Sequence, residues 1–256
     1  MIIYEKVDFA NTEQIENVSL QTRLAFDSGL DPQEIPLVLR FIAEKGDIWL
    51  QYKVEKGRKV TTGAIEFIPL TEALKFNSHG IDEKSPFKTA IKNQERVFWC
   101  ARKFACDNEI IHHHGIVMSH RGRGYGTLLL NYALRKTPFS VVVGFIDAAI
   151  STSFNELELA PNEPSYTAHL KAGFILAGVI EPPVYEQKLT YYCFIRPKKP
   201  FKFIEESEKI LNLAEGNGEE VLREVKKLTS EGCFGVKYLK ESHEMSFLKK
   251  YKGGKD

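Results

Sequence analysis

Apolar and polar positions change period several times along the chain, and each change marks an element. Residues 2–9, IIYEKVDF, alternate weakly and suit a first strand. In NTEQIENVSLQTRLAF the apolar positions include Ile15, Val18, Leu24 and Phe26, and Asn11 is placed to cap a helix. A second helix is expected in DPQEIPLVLRFIAEKG. Asp31 caps it, Pro32 suits its first position, Pro36 disturbs its first turn and Gly46 ends it. DIWLQYKVEKGRKVTTGAIEFIPL holds two β-rich runs around EKGRK, a hairpin pattern. The polar, punctuated stretch 70–95 reads as a loop carrying a short helix.

RVFWCARKFAC and EIIHHHGIVMS each read as strands, and a helix is expected over 127–136, closed by Pro138. FSVVVGFIDAAI is a continuous apolar run, the pattern of a strand buried on both faces. A polar loop, STSFNELELAP, leads to the helix NEPSYTAHLKAG, stopped by Gly173, and then to the strands FILAGVI and QKLTYYCFIRP. After Pro200 the chain becomes rich in lysine and glutamate. Three segments there, FKFIEESEKILNLAEG, GEEVLREVKKLTSEG and YLKESHEMSFLKKYK, carry apolar residues at three and four spacings and are expected as helices with solvated outer faces. No internal repeat is visible.

Composition narrows the function class. The 256 residues suit one large domain or a domain with an appendage, and 43% hydrophobic with 27% charged residues is ordinary for a globular chain. Thirty-five basic against 34 acidic residues leave a net charge of +1, which counts against nucleic-acid binding. Cys100, Cys106, Cys193 and Cys233 show no two-residue spacing of a zinc or redox motif and read as reduced thiols. The N-terminal residues lack a signal-peptide pattern, and no apolar run reaches membrane-spanning length. A cytoplasmic protein with no membrane partner is expected.

The candidate chemistry centres on SHRGRGYGTLLLNYAL, residues 119–134. A strand, a glycine-rich turn and a helix form a phosphate-binding arrangement, because the first amides of a helix have no intrahelical partner and its dipole favours an anion there. A P-loop needs a Gly-Lys-Ser/Thr that is absent. A dinucleotide fingerprint needs G-x-G-x-x-G, whereas Gly122, Gly124 and Gly126 are spaced two and two. An RNA-binding RGG tract belongs in a disordered segment, and this turn sits between apolar runs. Arg-x-x-Gly-x-Gly is filled by Arg121, Gly124 and Gly126.

That spacing resembles the pyrophosphate loop of the GNAT superfamily of acyl-CoA N-acyltransferases. A second motif follows in the family's order: NEPSYTAHLKAGF supplies Asn162, Ser165, His169, Gly173 and Phe174. Its histidine form is similar to that of phosphinothricin-acetyltransferase-type members. The resemblance covers residues 1–197, is sharp over 114–174, and leaves 70–105 as an insertion. It implies an α+β (α/β) GNAT fold with a mixed central sheet splayed between strands 4 and 5 and flanked by helices. Residues 198–256 are expected as a C-terminal helical extension.

By the same resemblance, acetyl-CoA is the expected cofactor. Its pantetheine arm is expected against the backbone of His114, Gly115 and Ile116, with Val117 and Met118 continuing that strand. Arg121, Gly122, Arg123, Gly124, Tyr125, Gly126 and Thr127 are the expected pyrophosphate cradle. Asn162, Ser165 and His169 are the expected contacts from the second motif. An amide near Ile116 or Val117 is placed to donate to the oxyanion. His169 stands where a tyrosine acid is usual, either as the general acid or as a packing residue, and Tyr166 is the fallback. His112 and His114 share one strand face and are candidates for the base, alongside Glu109, Glu156 and Glu158. His113 faces the other way, and no carboxylate or cysteine completes a metal site with this run. The expected activity is transfer of an acetyl group to a primary amine of a small molecule or peptide, in a monomer or homodimer. The alternative is a non-catalytic CoA-binding module whose tail binds a protein.

Overall fold

A computed structural model of the chain describes residues 1–25, 44–69, 97–104, 123–151, 157–159, 163–180 and 189–251. Among them are eleven strands and four helices, so the chain is an α+β protein. It divides into two units, one of Met1–Glu72 with Phe98–Pro138 and one of Ala73–Val97 with Phe139–Asp256. The helix expected over 31–46, the loop 70–95 and the strand 109–119 lie outside the described residues, apart from residues 44–46. The splay expected beside strand 109–119 lies outside them too.

The first unit is an antiparallel meander, β1 (Ile2–Lys6), β2 (Asp47–Glu55), β3 (Arg58–Pro69) and β4 (Val97–Phe104). The hairpin forms at EKGRK, with Glu55 facing Arg58 across the turn Lys56-Gly57. α1 (Thr12–Ala25) starts where Asn11 Oδ1 accepts from Gln14 N at 3.2 Å, the cap expected there. β3 is buried from Thr61 to Ile68, and α1 and α2 (Tyr125–Lys136) both pack on it. Leu129, Leu130 and Ala133 form the buried stripe of α2, each leucine contributing about 2 kcal/mol by leaving water. The ring of Tyr132 stacks on Tyr4 at 4.1 Å and meets Trp49 edge-on at 5.4 Å, tying α2 to β1 and β2.

In the second unit the strand order is β5-β8-β7-β10-β11-β9, built from β5 (Val141–Ser151), β7 (Ile175–Ile180), β8 (Leu189–Pro197), β9 (Phe203–Asn212), β10 (Cys233–Leu239) and β11 (Glu244–Lys250). Each of its ladders is antiparallel, and β6 (Leu157–Leu159), inside the stretch read as a polar loop, pairs with β5. α3 (Glu163–Lys171) packs on β10, and α4 (Gly218–Ser230) on β6, β7 and β10.

The tail departs from the helical extension expected for 198–256. Only its middle segment is a helix, α4, capped by Asn217 Oδ1 accepting from Glu219 N at 2.9 Å. The two flanking segments are strands, and β10 joins β7 through Gly235 opposite Leu176, so the second unit runs through the expected 197/198 boundary. The physical reason is a bulge. Lys249 faces Ile204 and Phe247 faces Lys209, so residues 205–208 of β9 stand against one residue of β11. The bulge breaks the two-residue period and spaces Phe203, Ile204, Ile210 and Leu211 as a helix would. Ser207 Oγ repairs the ladder by accepting from Lys249 N at 2.8 Å. No helix among the described residues is long and apolar enough to cross a membrane.

Candidate functional site

The glycine turn of the sequence leads directly into α2. Gly124 is its N-cap residue, at φ 78° and ψ 1°, a left-handed conformation that glycine takes without steric cost. Among the described residues, no atom lies within 4 Å of a Cβ built there. The helix proper begins at Tyr125, Gly126 and Thr127, whose N–H groups precede the first intrahelical bond, Leu128 N to Gly124 O at 3.1 Å. The first turn of α2 carries no acidic residue, while those of α1 and α4 carry Glu13 and Glu219 with Glu220. Arg123 is exposed just before the cap. Lys53 on β2 has its pKa raised mainly by its hydrogen bond to Glu55, and feels the charge of Arg123 in the opposite direction. Lys53 is neutralised by its ion pair with Glu55, so Arg123 is the side chain that adds positive charge where the helix dipole is also positive, and the turn is chemically suited to an anion.

Below this turn lies a polar pair that the sequence did not single out. Gln51 on β2 and Thr62 on β3 are buried, at 0% and 1% exposure. Gln51 Nε2 donates to Tyr125 O at 3.2 Å and approaches Tyr4 Oη at 3.4 Å. Thr62 Oγ1 lies 2.9 Å from Gln51 Oε1 and 3.2 Å from Gln51 O. Because the carbonyl of Tyr125 can only accept, the amide orientation of Gln51 is fixed. The ladder steps from Gln51 opposite Gly63 to Tyr52 opposite Thr61, so Thr62 is the extra residue of a bulge. That bulge turns its hydroxyl onto Gln51. A polar residue in an apolar strand was visible in the sequence, but the bulge that pairs it was not.

The second motif lies on α3, in the second unit. His169 is 4% exposed, and its Nδ1 is 2.8 Å from Ser165 O. A carbonyl cannot donate, so Nδ1 carries the proton, and in the neutral ring Nε2 is an acceptor. Proton donation from Nε2 therefore requires the doubly protonated ring. The His169 ring sits edge-on to Phe174 at 4.9 Å and tilted against Phe194 at 5.8 Å. Tyr166 is wholly buried, with rings of Tyr192, Phe194 and Tyr238 5.5 to 5.8 Å away.

The end of α3 explains part of the motif without any chemistry. Phe174 N donates to His169 O at 3.0 Å and Gly173 N to Leu170 O at 2.9 Å, the paired bonds of a Schellman cap. Gly173, at φ 81°, is the left-handed residue the cap needs. The contact of His169 with Phe174 is the side-chain contact that accompanies such a cap. Arg196 completes it, with Nε donating to Ala172 O at 2.8 Å and Nη1 to Pro197 O at 2.7 Å.

The remaining expected site residues, His112, His114, Gly115, Ile116, Val117, Met118, Arg121, Gly122 and Asn162, lie outside the described residues, as do Glu109 and Glu156. Glu158 falls on β6. Among the described residues no group of three or more histidine, cysteine, aspartate or glutamate side chains could hold a metal ion. Cys193 and Cys233 are buried free thiols, and burial pushes the pKa of Cys193 well above its ordinary value.

A scan against protein-family models finds no match for the chain, and a search of curated proteins finds none. Some solved structures are similar at low identity. An N-acetyltransferase from Staphylococcus aureus Mu50 is 14% identical with a TM-score of 0.46, over 78% of this chain and 99% of that one. An aminoglycoside 6'-N-acetyltransferase from Enterococcus faecium has the same values. Arabidopsis thaliana NAA60 in complex with acetyl-CoA is 14% identical with a TM-score of 0.46, over 77% and 99%.

Proposed function

We propose that the chain is a GNAT-type N-acetyltransferase that moves an acetyl group from acetyl-CoA to a primary amine of a small molecule or peptide. The observation that carries the reading is the left-handed Gly124 at the N-cap of α2, at the Arg121-x-x-Gly124-x-Gly126 spacing. The lack of any described atom within 4 Å of a Cβ at Gly124, the first turn without carboxylates and the exposed Arg123 suit a pyrophosphate. In this reading the amides of Tyr125, Gly126 and Thr127 hold the phosphate oxygens, and the helix dipole adds to their hold. Arg123 adds charge from the solvent side.

Acetyl-CoA, once bound, supplies a thioester carbon open to attack by a neutral amine. The amine nitrogen bonds to that carbon, the carbon–sulfur bond breaks, the nitrogen loses a proton and the sulfur gains one. His169 is the group proposed to handle a proton. Its Nδ1 bond to Ser165 O fixes the ring and leaves Nε2 as the exchanging atom. The test is release of free thiol from acetyl-CoA with a panel of primary amines, peptides included. Thiol release should depend on the amine and be lost in Gly124→Val, whose branched side chain is strained at that φ. Absence of amine-dependent release, with CoA binding intact, would overturn the transferase reading.

A further inference from the structure

We propose that Gln51, held by Thr62, is a positioning residue for the anion cradle at the start of α2; this rests on the reading of that turn as the acetyl-CoA site. The carbonyl of Tyr125 and the N–H of Gly126 belong to one planar trans peptide, so they point in opposite directions. The carbonyl is directed along α2, and the N–H is directed out of its N-terminal end, where a phosphate oxygen would sit. Gln51 Nε2 donates to that carbonyl at 3.2 Å. Holding the carbonyl fixes the plane, and fixing the plane aims the Gly126 amide. The same carbonyl accepts the intrahelical bond from Leu129 N–H, so Gln51 is a second donor that pins a plane the helix sets from one side only.

The support is itself held. Gln51 is fully buried, and a buried amide is costly unless its polar atoms are bonded. Its Oε1 accepts from Thr62 Oγ1 at 2.9 Å, and the bulge that brings Thr62 onto the same face interrupts an otherwise regular ladder. A leucine at 51 would pack in the same strand without calling for a bulge. The polar pair and the bulge are therefore one device, and Tyr125 O is where it leaves the sheet for the helix. Tyr4 Oη, 3.4 Å from the same nitrogen, steadies it from β1, and Tyr4 in turn stacks on Tyr132 of α2.

The full-length chain is titrated with CoA by calorimetry as wild type, Gln51→Leu, Thr62→Val and Thr62→Ser, with kcat and KM for acetyl-CoA and melting temperature measured on each. Loss of one buried hydrogen bond corresponds to about a tenfold change. Gln51→Leu should weaken CoA about tenfold and raise KM for acetyl-CoA by a similar factor, while kcat moves less than about twofold. Thr62→Val should shift the same quantities in the same direction, and Thr62→Ser should recover the affinity that Thr62→Val loses. A merely structural role would lower the melting temperature and leave CoA affinity where it was. Wild-type CoA affinity in Gln51→Leu overturns the inference, as does a fall in kcat without weaker CoA binding. If Gln51→Leu does not fold, the two Thr62 variants decide: equal CoA affinity in both overturns the inference. A wild-type chain that does not bind CoA overturns the parent reading and this inference with it. A wild-type chain that binds CoA as tightly as Gln51→Leu overturns the inference alone.

Discussion

His169 carries two explanations at once. Its ring closes the cap of α3 against Phe174, and its imidazole is held by Ser165 O. His169→Phe separates them, because phenylalanine keeps ring packing against Phe174 and Phe194 and removes the exchangeable nitrogen. The melting temperature should hold, CoA affinity should change little, and kcat should fall about 100-fold, the usual size of a lost acid–base group. Equal turnover in the variant would leave His169 with the cap alone. Tyr52 gives a residue-scale prediction about pH. Burial, with Glu5 and then Glu13 adding to it, pushes its pKa from 10.0 up to about 12. The folded state holds the proton more tightly than the unfolded state does. That contribution is whole below pH 10 and is lost as pH climbs from 10 toward 12. Urea midpoints measured from pH 9 to 11.5 should therefore fall less steeply for Tyr52→Phe than for the wild type. Parallel curves would remove Tyr52 from the alkaline transition.

At the scale of elements, legibility followed the regularity of each segment. α1 was readable from Asn11, which caps it, and α2 and β5 from their unbroken apolar patterns. β6 has three residues, too few to show a period. β9 was misread because its bulge at 205–208 removed the alternation that marks a strand. β11 was misread because its buried stretch, Met245, Ser246 and Phe247, is three consecutive residues with no alternation to read, set among lysines and a glutamate beside the turn at 240–243. The end of α3 was readable from Gly173, and the reason is now physical. At φ 81° a side chain is strained, and a Cβ would come within 2.9 Å of the Arg196 guanidinium. Arg196 cannot retreat without giving up its bonds to Ala172 O and Pro197 O. Gly173→Ala should cost about 1–2 kcal/mol, seen as a lower urea midpoint with an unchanged slope. An unchanged midpoint would show that the cap relaxes freely.

Across the whole molecule, the sequence showed where an anion would be held better than it showed what holds the turn in place. The glycine spacing from Arg121 to Gly126 is local and could be read directly. Gln51 lies 74 positions before Tyr125 in the sequence, and it meets Tyr125 O only because β2, β3 and α2 pack together. Long-range contacts of that kind leave no spacing to read. The tail gave the opposite lesson, since its composition suggested an appendage while its strands extend the sheet of the second unit through β7 and β10. The account as a whole depends on the α2 turn holding the pyrophosphate of an acyl-CoA. The most direct measurement is a calorimetric titration of the full chain with CoA, alongside Gly124→Val. The account predicts saturable one-to-one binding with a dissociation constant of about 1 µM to 1 mM, absent in Gly124→Val although that variant remains folded. No heat of binding in the wild type, or equal affinity in the variant, would contradict it.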